Sequence, residues 1–192
     1  MHFSKGSVRI VGGEYRSRRL RVASRPGLRP TPDRVRETLF NWLGQDLTGL
    51  ACLDLFAGSG ALGFEAASRG AARIVMVERD RAALELLRQN RDALGASRVE
   101  IVAADAPDYL RRANARFDLV FLDPPFRQNA VPEILALLPG LLGSGARAYA
   151  EGASPIETEP PWRELKRARA GQVSFQLLRW ESHDPIGVSR NL

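Results

Sequence analysis

The chain has 192 residues, 44% hydrophobic and 26% charged, enough for one well-packed domain with a small appendage. It carries +6 at neutral pH, holds one cysteine (Cys52) and two histidines near opposite ends, and has no apolar run of the ~18 to 20 residues a membrane span needs. A disulfide framework and a zinc cluster are thereby excluded; a cytoplasmic, metal-free monomer with no membrane span and no secretory leader is expected.

The charge is concentrated at one end. Residues 1–41 hold ten basic side chains against three acidic ones and carry +7, leaving −1 for the rest. A basic arm on a near-neutral body is the electrostatic pattern of a protein that meets a polyanion. Only two of the 28 basic residues are lysines, which also fits a general arginine bias, so the inference rests on position rather than on total charge.

In chain order, residues 6–25 read as a small hairpin in which "VRIVGG" and "RRLRVA" flank a turn at Gly12 and Gly13. The proline-rich "RPGLRPTPD" breaks structure, with Thr31 as N-cap and Pro32 as first residue of a helix. Val35, Leu39, Trp42 and Leu43 mark that helix's apolar face. Short apolar strands then alternate with helices. The strands are 51–56, 73–78, 98–104, 117–123 and 146–151, and the helices run through "ALGFEAASR", "RAALELLRQNRDAL", "APDYLRR" and "AVPEILALL". "WRELKRARA" and "VSFQLLRW" close the chain as a hairpin turning at Gly171. Such alternation predicts an α/β fold: a mostly parallel, twisted sheet with helices on both faces and an antiparallel edge hairpin. The predicted division is a basic N-terminal hairpin arm, 1–30, and a main domain, 31–192.

The first strand–helix turn, "DLFAGSGALG", sets Gly58, Gly60 and Gly63 in a G-x-G-x-x-G pattern at the carboxyl edge of the sheet, where open α/β folds bind ligands. Glu78 ends the second strand, 20 residues past Gly58, where its two oxygens could accept both hydroxyls of a ribose. Asp105 follows the third strand, where a carboxylate can receive an adenine amino group. The plain alternative makes Glu78 and Asp105 helix N-terminal charges. With the glycines, an adenosine-bearing ligand is the favoured reading, either a nicotinamide dinucleotide or S-adenosylmethionine. Asp54, inside the first strand, favours the second, since a carboxylate there can hold the ammonium of a methionyl tail. A buried Asp bonded to loop amides is the competing account.

"FDLVFLDPPFRQ" ends the fourth strand on that same edge. The Asp123 side chain and the Pro124 carbonyl can accept the two N–H bonds of a planar exocyclic amine, whose lone pair is otherwise delocalised into its ring. Pro124 and Pro125 fix the backbone before the substrate arrives, and Phe126 can stack on the base. By itself the stretch is equally a proline-terminated strand with a core Phe.

With both motifs placed, the chain resembles the class I S-adenosylmethionine-dependent methyltransferases, which have a Rossmann-like fold. More closely it is similar to the bacterial family that methylates N2 of one guanine in small-subunit (16S) ribosomal RNA. The matching stretches are "VRIVGGEYRSRRL", "GLRPTPDRVRETLFNWL", "CLDLFAGSGALGFEAASRGA", "VERD", "LDPPF" and "ARAGQVSFQLL", in family order over residues 8 to about 179. The resemblance implies cofactor contacts from Asp54, Phe56, Ala57, Gly58, Ser59, Gly60, Glu78, Arg79 and Asp105. It implies that Asp123, Pro124, Pro125 and Phe126 meet the target amine, with no metal. Arg9, Arg16, Arg18, Arg19, Arg29 and Arg34 would contact small-subunit ribosomal RNA, alone or in an assembled or partly assembled subunit. An N6-adenine or other amino-methyltransferase acting on DNA or RNA is the alternative, because the motif serves either amine.

Overall fold

A computed structural model describes residues 6–22, 32–125 and 130–181. The predicted hairpin forms from β1 (Gly6–Arg9) and β2 (Arg19–Val22), antiparallel, with Val8 opposite Leu20. These two residues, with Ile10 and Tyr15, are buried and belong to the main core. The turn is docked by hydrogen bonds as well as by apolar contact. Glu14 N–H donates to the Ser68 carbonyl at 2.7 Å, and Tyr15 N–H donates to Ser68 Oγ at 2.8 Å. Arg21 exchanges two bonds with the Asn90 amide, at 2.9 and 2.8 Å. Gly13 shows how close the approach is: its φ is +74°, and a Cβ there would lie 1.8 Å from the Ser68 carbonyl oxygen.

Helix α1 spans Asp33–Leu43. Pro32 occupies the N-cap position rather than the first helical one, and Thr31, the predicted cap, lies outside the described residues. The buried face is Val35, Arg36, Leu39, Phe40 and Leu43. Phe40 thus takes the place assigned to Trp42, which is half-buried at the flank and stacks on Phe175 at 5.3 Å.

The alternating elements follow as β3 (Ala51–Asp54), α2 (Ala61–Ser68), β4 (Arg73–Glu78), α3 (Arg81–Leu94), β5 (Val99–Ala103), α4 (Ala106–Arg112), β6 (Phe117–Leu122) and α5 (Val131–Leu137). A 3-10 turn, Pro139–Leu141, leads into β7 (Leu142–Gly152), which starts four residues before its predicted beginning. β8 (Trp162–Ala170) and β9 (Val173–Trp180) form the closing hairpin.

Seven strands make one sheet in the order β5-β4-β3-β6-β7-β9-β8, parallel from β5 to β7 and antiparallel at β9 and β8. Ile74 to Val77 are buried without interruption, as expected for a strand covered on both faces. Helices α1, α2 and α3, with the N-terminal hairpin, cover one face; α4 and α5 cover the other. From β3 the chain moves outward to β4 and β5, then returns to the other side of β3 for β6. The direction of winding therefore reverses between β3 and β6, and the crevice at their carboxyl ends is where such sheets take ligands. Among the described residues no helix is long and apolar enough to cross a membrane.

Candidate functional site

The loop after β3 turns through two left-handed glycines, Gly58 (φ 49°) and Gly60 (φ 77°), into α2. A Cβ on Gly60 would meet Phe64 at 2.6 Å and Leu87 at 2.7 Å, so α2 and α3 can close over the loop only with glycine there. The Glu78 carboxylate organises the turn. One oxygen accepts Gly58 N–H at 2.8 Å, and the other accepts Arg79 N–H at 2.8 Å and Asp80 N–H at 2.7 Å. An ionised carboxylate has about four lone-pair sites, so capacity remains for another donor. Phe56, Ala57 and Ser59 lie along this loop, Ala57 being tied to β4 by its N–H on the Val77 carbonyl at 3.0 Å.

Asp54 closes β3 and is 2% exposed. Its Oδ2 accepts Gly63 N–H at 3.1 Å, and Phe56 N–H also bonds it. Burial, then the neighbouring charge of Asp123, pushes its pKa up to about 7; the two N–H donors and Glu78 contribute less, the donors in the opposite direction. The site thus holds a carboxyl group short of positive charge. Asp105 caps α4, accepting Ala106 N–H at 3.2 Å, and Arg79 lies 3.6 Å from it; both side chains are exposed. The geometry of Asp105 is that of the helix-end charge, available at the rim of the crevice.

The raised pKa of Asp54 makes the stability of the fold depend on pH. Between the unfolded value near 4 and the folded value near 7, the native state keeps a proton that the unfolded chain has lost. Stability contributed by the protonated group is therefore complete below about pH 4 and is lost as pH rises to about 7, by on the order of 4 kcal/mol. Asp54→Asn, which still accepts from Gly63, is expected to remove this decline. Urea denaturation at pH 4.5 and 7.5 should show the variant gaining on the parent at the higher pH. Parallel curves for the two proteins would contradict the placement.

Asp123 follows β6, half-buried, with Pro124 buried and Pro125 exposed; Phe126 lies outside the described residues. Asp54 pairs with Phe121, two residues before Asp123, which brings the glycine loop and the Asp-Pro-Pro turn together at the reversal of the sheet. Leu55 N–H on the Phe121 carbonyl, at 3.2 Å, extends the pairing. On the next strand Tyr149 and Glu151 are buried, and the phenol donates to Glu151 Oε1 at 2.7 Å.

Of the predicted RNA contacts, Arg9, Arg16, Arg18, Arg19 and Arg34 are exposed, and Arg29 lies outside the described residues. Arg9 lies 3.3 Å from Asp33, Arg18 donates to the Ala93 carbonyl at 2.8 Å, and Arg19 donates to Ser7 Oγ at 3.0 Å. Arg36, counted in the basic segment, is instead fully buried, donating to the Arg9 carbonyl at 2.7 Å and Asp33 Oδ1 at 2.6 Å. Its charge is committed to the fold. Sequence reasoning also missed the Tyr149–Glu151 pair, for which the period-two spacing in "YAE" is the available signal. Cys52 is inert, its thiol pushed up to about 12 by burial. Among the described residues no three His, Cys, Asp or Glu side chains are grouped so as to hold a metal ion.

A sequence model of the family described as conserved hypothetical protein 95 matches residues 8–179. The ribosomal RNA small subunit methyltransferase D of Escherichia coli strain K12 is 43% identical over 188 residues, 94% of each chain. The protein of the same description in Haemophilus influenzae is 41% identical over 182 residues, 91% of this chain and 94% of its own. A solved structure from Escherichia coli superimposes with a TM-score of 0.84 at 42% identity, covering 92% of this chain and 99% of that one.

Proposed function

Because the chain belongs to the family described as conserved hypothetical protein 95, bearing out the resemblance carried by its motifs, we propose that it transfers a methyl group from S-adenosylmethionine to N2 of a specific guanine in small-subunit ribosomal RNA. The observation that carries this reading is the adjacency of the Asp123-Pro124 acceptors to the glycine loop at the β3/β6 reversal.

The residues present fit the cofactor. Asp54 is a buried carboxyl group surrounded by negative charge and N–H donors, an environment completed by an ammonium. Asp54 would hold that group, Phe56 to Gly60 would line the backbone side, Glu78 would accept ribose hydroxyls, and Asp105 with Arg79 would flank the adenine. When bound, the cofactor supplies a sulfonium methyl already activated for in-line displacement. Asp123 and the Pro124 carbonyl accept the two N–H bonds of the amine and aim its lone pair. Asp123 or water then takes the proton that the methylated amine loses. Pro124 and Pro125 hold the acceptors before the base arrives, and Phe126 stacks on it.

The exposed arginines of the arm, residues 1–30, and Arg34 at the start of the main domain bind phosphates with little sequence dependence and strong salt sensitivity. Selection of one guanine then depends on the shape of folded RNA, with ribosomal proteins already attached. A cytoplasmic location goes with this substrate. The test transfers radiolabelled methyl to small subunits from a strain lacking the activity and identifies the nucleoside. N2-methylguanosine is the expected product; N6-methyladenosine would replace the reading. Thermal stabilisation by S-adenosylhomocysteine and none by NAD is expected alongside.

A further inference from the structure

Two buried polar side chains beside the proposed amine site have no part in the reading above. Tyr149 and Glu151 are two residues apart on β7 and so project from the same face of the sheet. Phe121 pairs with Tyr149 and Leu122 with Ala150, and the same register carried one residue further sets Asp123 abreast of Glu151. Strands in a ladder lie ~4.8 Å apart, about the span of a base edge. The charge of Asp123 reaches the Tyr149 phenol, independent of the register argument.

The pair is built to present an acceptor. Tyr149 is fully buried and Glu151 is 5% exposed, and the phenol donates to Glu151 Oε1 at 2.7 Å. Burial first, then Glu151, raises the phenol's pKa well above its ordinary value, so it stays a donor across the physiological range. Glu151 faces Phe175 across the β7–β9 ladder, at a position where an apolar residue would cost the fold less.

Guanine presents its ring N1–H next to its N2 amine on one edge, whereas adenine presents an unprotonated N1 beside its N6 amine. We propose that Glu151, oriented by Tyr149, is a specificity-determining residue that accepts the N1–H of the target guanine while Asp123 and Pro124 hold the adjacent amine. The inference rests on the guanine-N2 reading and extends it. The Asp-Pro-Pro turn serves either amine, and the neighbouring strand makes the choice, since adenine would set its N1 lone pair against a fixed acceptor. A site built to receive a hydrogen-bond donor discriminates strongly against the analogue lacking it.

The test uses full-length protein and small-subunit RNA in which the target guanine is replaced by 2-aminopurine, which keeps the amine but has no N1–H. The parent is expected to favour guanine by about 100-fold in kcat/KM. In Glu151→Gln an amide N–H can serve the bare N1, so the variant should lose about 100-fold on guanine and far less on 2-aminopurine, bringing the ratio toward one. Equal losses on both substrates would make Glu151 merely structural and overturn the proposal. Should Glu151→Gln not fold, Tyr149→Phe leaves the carboxyl unoriented and must also reduce the ratio; an unchanged ratio there overturns the proposal as well. A parent protein inactive on both bases would refute the guanine-N2 reading itself, an outcome separate from these.

Discussion

Asp123→Ala is expected to lower kcat for methyl transfer by about 10³-fold while S-adenosylhomocysteine still binds. The amine of a purine is a poor nucleophile, and removing one of two fixed acceptors both frees its lone pair to delocalise and leaves one N–H without a partner. Asp123→Asn keeps an oxygen acceptor and should lose about tenfold to 10²-fold, the difference measuring the value of charge over geometry. Both variants have a second consequence that needs no substrate. The charge of Asp123 is, after burial, the largest influence lifting the Asp54 pKa toward 7. Without it, Asp54 ionises at lower pH in the folded state, so the loss of stability between pH 4 and 7 shrinks. An Asp123→Ala enzyme that kept full activity would end the proposed mechanism. An unchanged pH–stability profile would mean that the two carboxyl groups are not neighbours.

What was legible in the sequence was local. Gly58 and Gly60 announce the loop because their left-handed backbone angles favour glycine, Gly63 because a Cβ there would meet Met76 at 2.4 Å, and the closing hairpin declares itself through Gly171 between two alternating strands. The side of the sheet on which "LDPPF" falls follows from strand alternation alone. That β6 lies beside β3 does not: it depends on the chain reversing after β5, a long-range event with no residue of its own to mark it. The same applies to Arg36, which reads as one more surface charge in a basic segment until Glu65, 29 residues away, is seen to meet it at 3.6 Å. Phe40 rather than Trp42 lies on the inner face of α1, where the Arg69 guanidinium, 4.6 Å over its ring, is another long-range partner with no local mark in the sequence. Glu78 ends β4, as the strand pattern predicts. Its three backbone bonds, which no residue pattern announces, show that it shapes the glycine loop.

Glu65→Ala is expected to cost about 3 to 5 kcal/mol, the largest stability effect among the side chains discussed. Glu65 is fully buried in α2 and accepts from Val11 N–H and Gly12 N–H, each at 2.8 Å, and from Arg69 Nε and Nη2 at 3.0 and 2.8 Å. Its removal takes the bonded carboxylate from Arg69 and a second countercharge from Arg36, whose Nε and Nη1 already have no hydrogen-bond partner among the described residues. A single domain has about 5 to 15 kcal/mol in all, so urea denaturation should show a large drop in midpoint. Limited proteolysis should cut first in the hairpin turn, at Arg16 to Arg19, because Glu65 ties that segment to the body. Replacing Glu65, Arg36 and Arg69 together by apolar residues of similar volume should recover part of the loss, since a buried ionic cluster is stabilising mainly relative to its broken remainder. A loss below about 1 kcal/mol in Glu65→Ala would show that apolar contacts from Ile10 and Leu20 dock the hairpin unaided. The expected outcome has a functional reading too. Arg9, Arg16, Arg18 and Arg19, proposed to hold RNA, are carried on a segment that Glu65 helps to dock, so the variant should weaken RNA binding more than S-adenosylhomocysteine binding at a temperature where the main domain stays folded.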